Sequence, residues 1–456
     1  MKKNILFTVF FLCILFISCC DGDEVLVSHG SGSECLPANI NREAYKYMQN
    51  WYLWYEHLPK IDPADYETIS DMLKDVKYRE GDTLIDRFSY AVTKEEHDSY
   101  YAGKHYGMGL SWKRDEEDSL YISMVYPGSP AGKAGLRRGQ KVLALNDVTV
   151  ETLDENATYN REHRDDPGFE EKTDWDNVYN SENKGEAVKF LVSENGEELE
   201  TTVYLDDYTS PSVLASEIIE NEDGKIGYVH LKSFIQSSDK ELDEVFAGFK
   251  KENVDRLILD LRYNGGGLVK IAEHLVDLIL GEKVRKQEII KIVYNDKHQD
   301  QNYSYEGKAL KNSLKDVKHV AVIVTSGTAS ASEMVINSLR PFVEVTLFGK
   351  TTYGKPVGMN SKDICDQTIV PITFKYTNSE NYGDFFLGME ADCNSEDDFK
   401  HDFGDAQEDG VKNALYYFEN GKCLENPALR TLQRRRNIED LIPGKLKGMG
   451  RIDYTF

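Results

Sequence analysis

The residues best suited to chemistry stand where a hydrophobic run ends, in the stretch VTSGTASASEMVINSLRP from Val324 to Pro341. A serine at such a strand-to-helix junction can attack an acyl carbon, provided that a base takes its proton and backbone amides receive the oxyanion. The same letters also spell a helix start. Ser330-Ala331-Ser332-Glu333 is a Ser-x-x-Glu capping box, with Met334, Val335, Ser338 and Leu339 following at helical spacing. Ser332 and Glu333 are assigned to capping. Ser330 still needs a base, and one lysine stands in the strand-end turn Gly354-Lys355-Pro356. A lysine serves in that role if loss of water lowers its pKa, although this turn alone favours a solvated side chain. A histidine-based hydrolase is the first rival. His230 lies between Val229 and Leu231 in a strand pattern and reads as a core residue, and GTASAS is not the G-x-S-x-G elbow.

The elements that must position these groups read as βαβ from Pro211 onward. KIGYVHLKSF and DRLILDLRY are strands, and DKELDEVFAGFKKE between them places Leu242, Val245, Phe246 and Phe249 on one helical face. NGGG breaks the second strand, and HVAVIVTSG is a buried strand running into the serine turn. Alternating strands and helices predict a mostly parallel sheet covered on both faces. Three junctions follow strand carboxyl ends, where open α/β sheets place their sites: Asn264–Gly267, Thr325–Ser332 and Gly349–Gly358. The triple glycine admits a backbone amide close to a substrate. Arg262 is expected to orient that turn.

Upstream, NREAYKYMQNWYLWYEHLP carries Tyr45, Met48, Trp51, Tyr52 and Tyr55 at three- and four-residue steps, and ETISDMLKDVKY and TKEEHDSYYAG read as helices too. Residues 20–100 are therefore expected to form a tether and a small helical domain. PGSPAGKAGLRRGQKVLALN resembles the signature half of a PDZ domain, which assigns residues 101–207 to a β-rich PDZ-like domain. Gly107, Met108, Gly109 and Leu110 then fall where such domains hold a terminal carboxylate, and they are the expected substrate-binding residues. The polar stretch 154–184 reads as an insertion, and Asn195-Gly196 as the turn of a closing hairpin.

ASASE, the lysine 25 residues on and LILDLRYNGGG upstream together resemble the tail-specific (C-terminal processing) serine peptidases, over roughly residues 100 to 360. The resemblance implies an α/β (crotonase/ClpP-like) catalytic domain at 208–390, with Ser330 as nucleophile and Lys355 as general base. It also implies Gly266 and Ala331 N–H as oxyanion donors, and no metal or organic cofactor. Substrates would be extended or unfolded polypeptides, recognised through their C-terminal tails. The family's usual glutamine four residues after the lysine is Met359 here, and its frequent aspartate eleven after the serine is Pro341. A catalytically silent peptide-tail-binding lipoprotein is the alternative.

With 54 basic against 79 acidic residues the net charge is −25, which argues against nucleic acid or an anionic lipid surface as partner. Lys2, Lys3 and the apolar run Ile5–Ile17 read as a signal segment, too short to span a bilayer. FISCCDGDE resembles a bacterial lipoprotein signal spanning residues 1–19, with Cys19 as the acylated residue and Cys20 as second choice. The acids behind it resemble the export signal of Bacteroidetes-type surface lipoproteins. This predicts a lipid-anchored protein of the outer membrane or cell surface, facing the periplasm or exterior. Cys35, Cys365, Cys393 and Cys423 allow three disulfide pairings, of which we favour Cys393 with Cys423. Residues 391–456 are expected to be an acidic extension whose carboxylates face solvent rather than calcium.

Overall fold

The computed structural model describes residues 33–164, 166, 169–179, 183–221 and 224–424. The signal segment, Cys19, Cys20, the start of the tether and everything from residue 425 lie outside the described residues. Among the described residues, no helix is long and apolar enough to cross a membrane.

Helix α1 (Pro37–Trp51) starts with proline in its first turn and buries Ile40, Ala44, Tyr45 and Met48 along one face. Helix α2 (Ile69–Val76) is capped by the Thr68 hydroxyl, which accepts from Asp71 N–H. Strand β1 (Tyr90–Thr93) leads into α3 (Lys94–Tyr101), whose start is a capping box between Thr93 and Glu96. These helices do not close a core of their own. Val357, Ile369 and Ile372 from far downstream complete it, and Cys35 is disulfide-bonded to Cys365. The boundary near residue 100 is thus one of sequence, and not of packing.

The next unit is β2 (Lys104–Gly107), β3 (Leu110–Arg114), β4 (Leu120–Val125), α4 (Pro130–Lys133), β5 (Lys141–Leu145), α5 (Val150–His163), α6 (Trp175–Tyr179), β6 (Ala187–Glu194), β7 (Glu197–Tyr204) and β8 (Asp206–Thr209). Its antiparallel sheet runs β7-β6-β5-β4-β3, leaving β3 at an edge, while β2 pairs with β8. The β6–β7 hairpin turns at Asn195-Gly196, both at positive φ. The stretch read as an insertion begins inside α5, which anchors the unit through the fully buried Leu153. Its sequence is polar because this helix buries little else, so the apolar periodicity that marks a helix is faint.

The third unit supplies β9 (Val213–Asn221), β10 (Gly224–Leu231), α7 (Ser238–Lys251), β11 (Arg256–Asp260), α8 (Val269–Leu280), β12 (Glu288–Tyr294), β13 (Tyr303–Glu306), β14 (His319–Val324), α9 (Ala331–Leu339), β15 (Glu344–Gly349), β16 (Val357–Met359), β17 (Lys362–Ile364), β18 (Gln367–Val370), β19 (Ile372–Asn378), β20 (Cys393–Asn394) and α10 (Asp409–Asn420). The main sheet runs β9-β10-β11-β14-β15-β20, parallel throughout except for β9. Alternate residues face opposite sides. Leu257 and Leu259 join the core formed with α7, α8 and α9, whereas Ile258 joins Val411 and Ala414 of α10. A second sheet runs β13-β12-β19-β16, and a third, β17-β18-β1, stitches the N-terminal helical unit to the segment after Lys355.

For residues 391–424 the expectation of an acidic extension facing solvent is corrected. β20 adds a strand to the main sheet, α10 covers its second face, and Cys393 is bonded to Cys423. Glu408 is fully buried against Arg262, while Asp397 accepts from Tyr263 Oη at 2.5 Å. Composition hid this role, because a carboxylate that pairs with a buried guanidinium is indistinguishable in sequence from a solvated one.

Candidate active site

The turn between β14 and α9 holds Ser330 at φ +55° and ψ −114°, in the positive-φ region that a side chain disfavours. Such a conformation costs about 1–3 kcal/mol and persists only where neighbours enforce it. Here they do. Thr328 Oγ1 accepts from Thr325 N–H at 3.0 Å and donates to Leu261 O at 2.9 Å, tying the turn to the end of β11. Ser332, expected to cap, instead donates its hydroxyl to Asn264 O at 3.0 Å. Ala329 N–H donates to the same carbonyl at 3.1 Å.

Asn264 therefore pins the serine turn to the glycine turn, and its side chain does the same for the glycines. Its amide donates to Leu231 O at 2.7 Å, and its Oδ1 accepts from Gly266 N–H at 2.9 Å. Gly266 itself has φ +105°, and a Cβ there would stand 2.9 Å from Ala329 O, Ala331 N and Ser330 Cβ. Only glycine fits that approach. The two expected oxyanion donors are thus neighbours in different states. Gly266 N–H is committed to Asn264, whereas Ala331 N–H, the first of α9, has no acceptor among the described residues.

Glu333 is the hub that joins serine to lysine. Its Oε2 accepts from Ser330 N–H at 3.0 Å and from Lys355 N–H at 2.8 Å, and its Oε1 from Thr352 Oγ1 and Gly354 N–H at 2.6 and 2.7 Å. Tyr376 Oη lies 3.1 Å from both Ser330 O and Lys355 O. The capping assignment for Glu333 therefore covers only one of its four contacts. The Lys355 amine does not bond to Ser330 in this state. It donates to Met359 Sδ at 3.1 Å and lies 5.7 Å from the centre of the Phe88 ring. Lys355 is only 9% exposed, and burial lowers its pKa to about 8 against the opposing pull of the Asp86 and Glu333 carboxylates.

Asp86 and Arg87 come from the N-terminal helical unit, and nothing local in sequence marks them. Asp86 is buried and accepts from Tyr52 Oη at 2.5 Å and from the N–H groups of Phe88 and Ser89. Arg87 donates to Tyr353 O, Gly354 O and Phe386 O at 2.9, 3.1 and 2.9 Å, gripping the lysine loop. Arg262 sits beneath the strand ends in a buried cluster with Asp260, at 2.6 Å, and Glu408. His230 is fully buried, with burial lowering its pKa to about 4, and its Nε2 lies 3.2 Å from Arg262 O. It is a core residue, as its strand context implied.

Two cavities open among the described residues, the first beside this centre. One, of about 840 Å3, is bounded by Gly267 and Met359 and walled by Leu268, Ile292, Val370 and Phe374. The other, of about 380 Å3, is lined by Gly107, Met108, Gly109 and Leu110. Among the described residues, no cluster of side chains is arranged to hold a metal ion.

Known proteins share this organisation. Models of the peptidase S41 N-terminal domain, the PDZ domain and peptidase family S41 match residues 39–90, 121–166 and 225–395. The chain is 26% identical over 359 residues to the carboxyl-terminal-processing protease of Synechocystis sp., covering 75% of each chain. It is 25% identical over 295 residues to the carboxy-terminal processing protease CtpA of Bacillus subtilis, covering 64% of this chain and 56% of that one. A crystal structure from Bacteroides fragilis, assigned to the S41 proteases, superposes with a TM-score of 0.69 at 21% identity, over 83% of this chain and 97% of that one. The three matched segments occur in one chain in this order, around a serine turn and a buried lysine, and the protein accordingly carries a peptidase family S41 domain behind an S41 N-terminal domain and a PDZ domain, the organisation of a serine-type peptidase.

Proposed function

We propose that the protein is an endopeptidase that cleaves extended or unfolded polypeptides by Ser330–Lys355 acyl transfer, with the PDZ-like unit receiving C-terminal tails. The observation that carries the dyad is Glu333, whose single oxygen Oε2 holds the backbone N–H of both residues. Two side chains so anchored are kept within mutual reach, and a lysine with a pKa near 8 has a useful neutral fraction at physiological pH.

In the first step neutral Lys355 Nζ, swung from Met359 towards Ser330, takes the hydroxyl proton as Oγ attacks the peptide carbonyl. Negative charge develops on the carbonyl oxygen, where Ala331 N–H at the start of α9 can donate. Gly266 N–H becomes a second donor once it leaves Asn264. The lysine ammonium then protonates the leaving amine, and the C–N bond breaks. Water, deprotonated by the same lysine, releases the acyl group from Ser330. The cavity beside Gly267 and Met359, lined by Leu268, Val370 and Phe374 together with polar Lys104, Lys270 and Asn360, would receive substrate side chains near the scissile bond. Labelling by a serine-reactive phosphonate tests the reading. It should be abolished in Ser330→Ala and in Lys355→Ala, and equal labelling of wild type and Ser330→Ala would refute it.

The anchor belongs to the same proposal. Acylation at Cys19 would tether the enzyme to the outer membrane or cell surface, facing the periplasm or exterior. Incorporation of labelled palmitate that persists in Cys19→Ala would shift the site to Cys20 or exclude this order.

A further inference from the structure

The cavity behind the 107–110 loop is not built by the PDZ-like unit alone. Its far wall is Lys232, Ser233 and Ile235, from the segment that follows β10 of the catalytic unit. Lys232 is partly exposed there, and among the described residues no carboxylate or hydroxyl pairs with its ammonium group. In a chain of net charge −25, a lysine turned into a cavity without an acidic partner is a conspicuous choice.

The opposite wall has a matching need. Gly107 and Gly109 have φ +126° and +77°, and the N–H groups of Met108 and Gly109 have no acceptor among the described residues. Orphan amides in such a glycine turn form an anion-binding concavity. Between the two walls, Met108, Leu110, Met124, Leu205 and Ile235 offer an apolar lining. The rings of His105, Tyr126 and Tyr208 also line it, with centroids 5.3–6.0 Å apart. His105 is already engaged, its Nε2 lying 2.9 Å from Ser210 Oγ.

We propose that Lys232 completes the carboxylate site of the PDZ-like groove, so that a polypeptide's terminal carboxylate is held jointly by the loop amides of one unit and the ammonium of the next. The free carboxylate supplies the charge that Lys232 lacks and the acceptors that Met108 and Gly109 N–H lack, and an apolar last side chain fits the lining. Burial alone lowers the Lys232 pKa, to about 8, with no acidic group contributing. A bound carboxylate would reverse that by restoring the favourable state of the charged amine. This inference rests on the tail-capture reading above and names the residue that distinguishes a tail from an internal loop.

The test uses the full chain carrying Ser330→Ala, to prevent turnover, and a fluorescein-labelled peptide ending in Ala-Leu, as free acid and as carboxamide. Binding is read by fluorescence anisotropy at pH 7. The free acid should bind more tightly, and Lys232→Met should erase about tenfold of that preference while leaving carboxamide affinity unchanged, as expected for loss of one charge-assisted contact. Lys232→Arg should retain most of the preference, and a thermal melt confirms that each variant folds. A preference that survives Lys232→Met intact overturns the role of Lys232 but leaves tail capture standing. No preference for the free acid in the Ser330→Ala parent overturns both.

Discussion

Replacing Met359 by glutamine probes the lysine base directly, because Met359 Sδ is the partner of the Lys355 amine, at 3.1 Å. A thioether is a weak acceptor. The lysine consequently lies in a site that favours its neutral form, with a pKa lowered from 10.5 to about 8 chiefly by burial. That difference is on the order of 3 kcal/mol and raises the neutral fraction at pH 7 from about one in 3,000 to about one in 10. The pH profile of kcat/KM should therefore rise through a single ionisation near pH 8 to an alkaline plateau. The glutamine amide oxygen would stabilise the ammonium through a charged hydrogen bond worth about 1.5–3 kcal/mol, part of which the sulfur contact already supplies. A net gain of about 1.4 kcal/mol moves the midpoint up by about one pH unit. In Met359→Gln, kcat/KM for a fluorogenic peptide should fall about tenfold at pH 7 and recover at pH 10. A midpoint that stays in place, or moves to lower pH, would show that Met359 does not set the ionisation of the base.

Lys355→Arg should be inactive at every pH, since guanidinium keeps its proton; substantial peptide hydrolysis by this variant would identify another base. Because the folded state depresses the lysine pKa, the unfolded chain binds the extra proton. The stability cost of burying Lys355 is thus fully present below about pH 8 and is relieved as pH rises towards 10.5. Lys355→Met should accordingly raise the urea midpoint at pH 7, and much less at pH 10. Gly266→Ala places a Cβ 2.9 Å from Ser330 Cβ and Ala331 N, and should abolish phosphonate labelling while costing about 2 kcal/mol or more in denaturant unfolding. Arg87→Ala frees the carbonyls of Tyr353 and Gly354 and should lower kcat with little change in KM, whereas a pure KM effect would place Arg87 on the substrate side.

Sequence by itself carried the parts of this protein whose physics is local. Apolar periodicity located α1, α7 and α8 and the parallel strands, since a buried helix face or a strand covered on both sides must be apolar at fixed spacing. The order of the serine turn, the triple glycine and the lysine was readable because each occupies a few consecutive positions. The hairpin turn at Asn195-Gly196 was readable for the same reason. Tertiary structure alone decided what holds those pieces together. Asp86 and Arg87 reach the lysine loop from more than 260 residues away, and Glu408 reaches Arg262 across 146. Asn264 and Glu333 looked like turn and cap residues until their second partners were visible. A buried carboxylate and a solvated one are the same letter, and which it becomes depends on whether folding brings a cation or a row of amide donors to it.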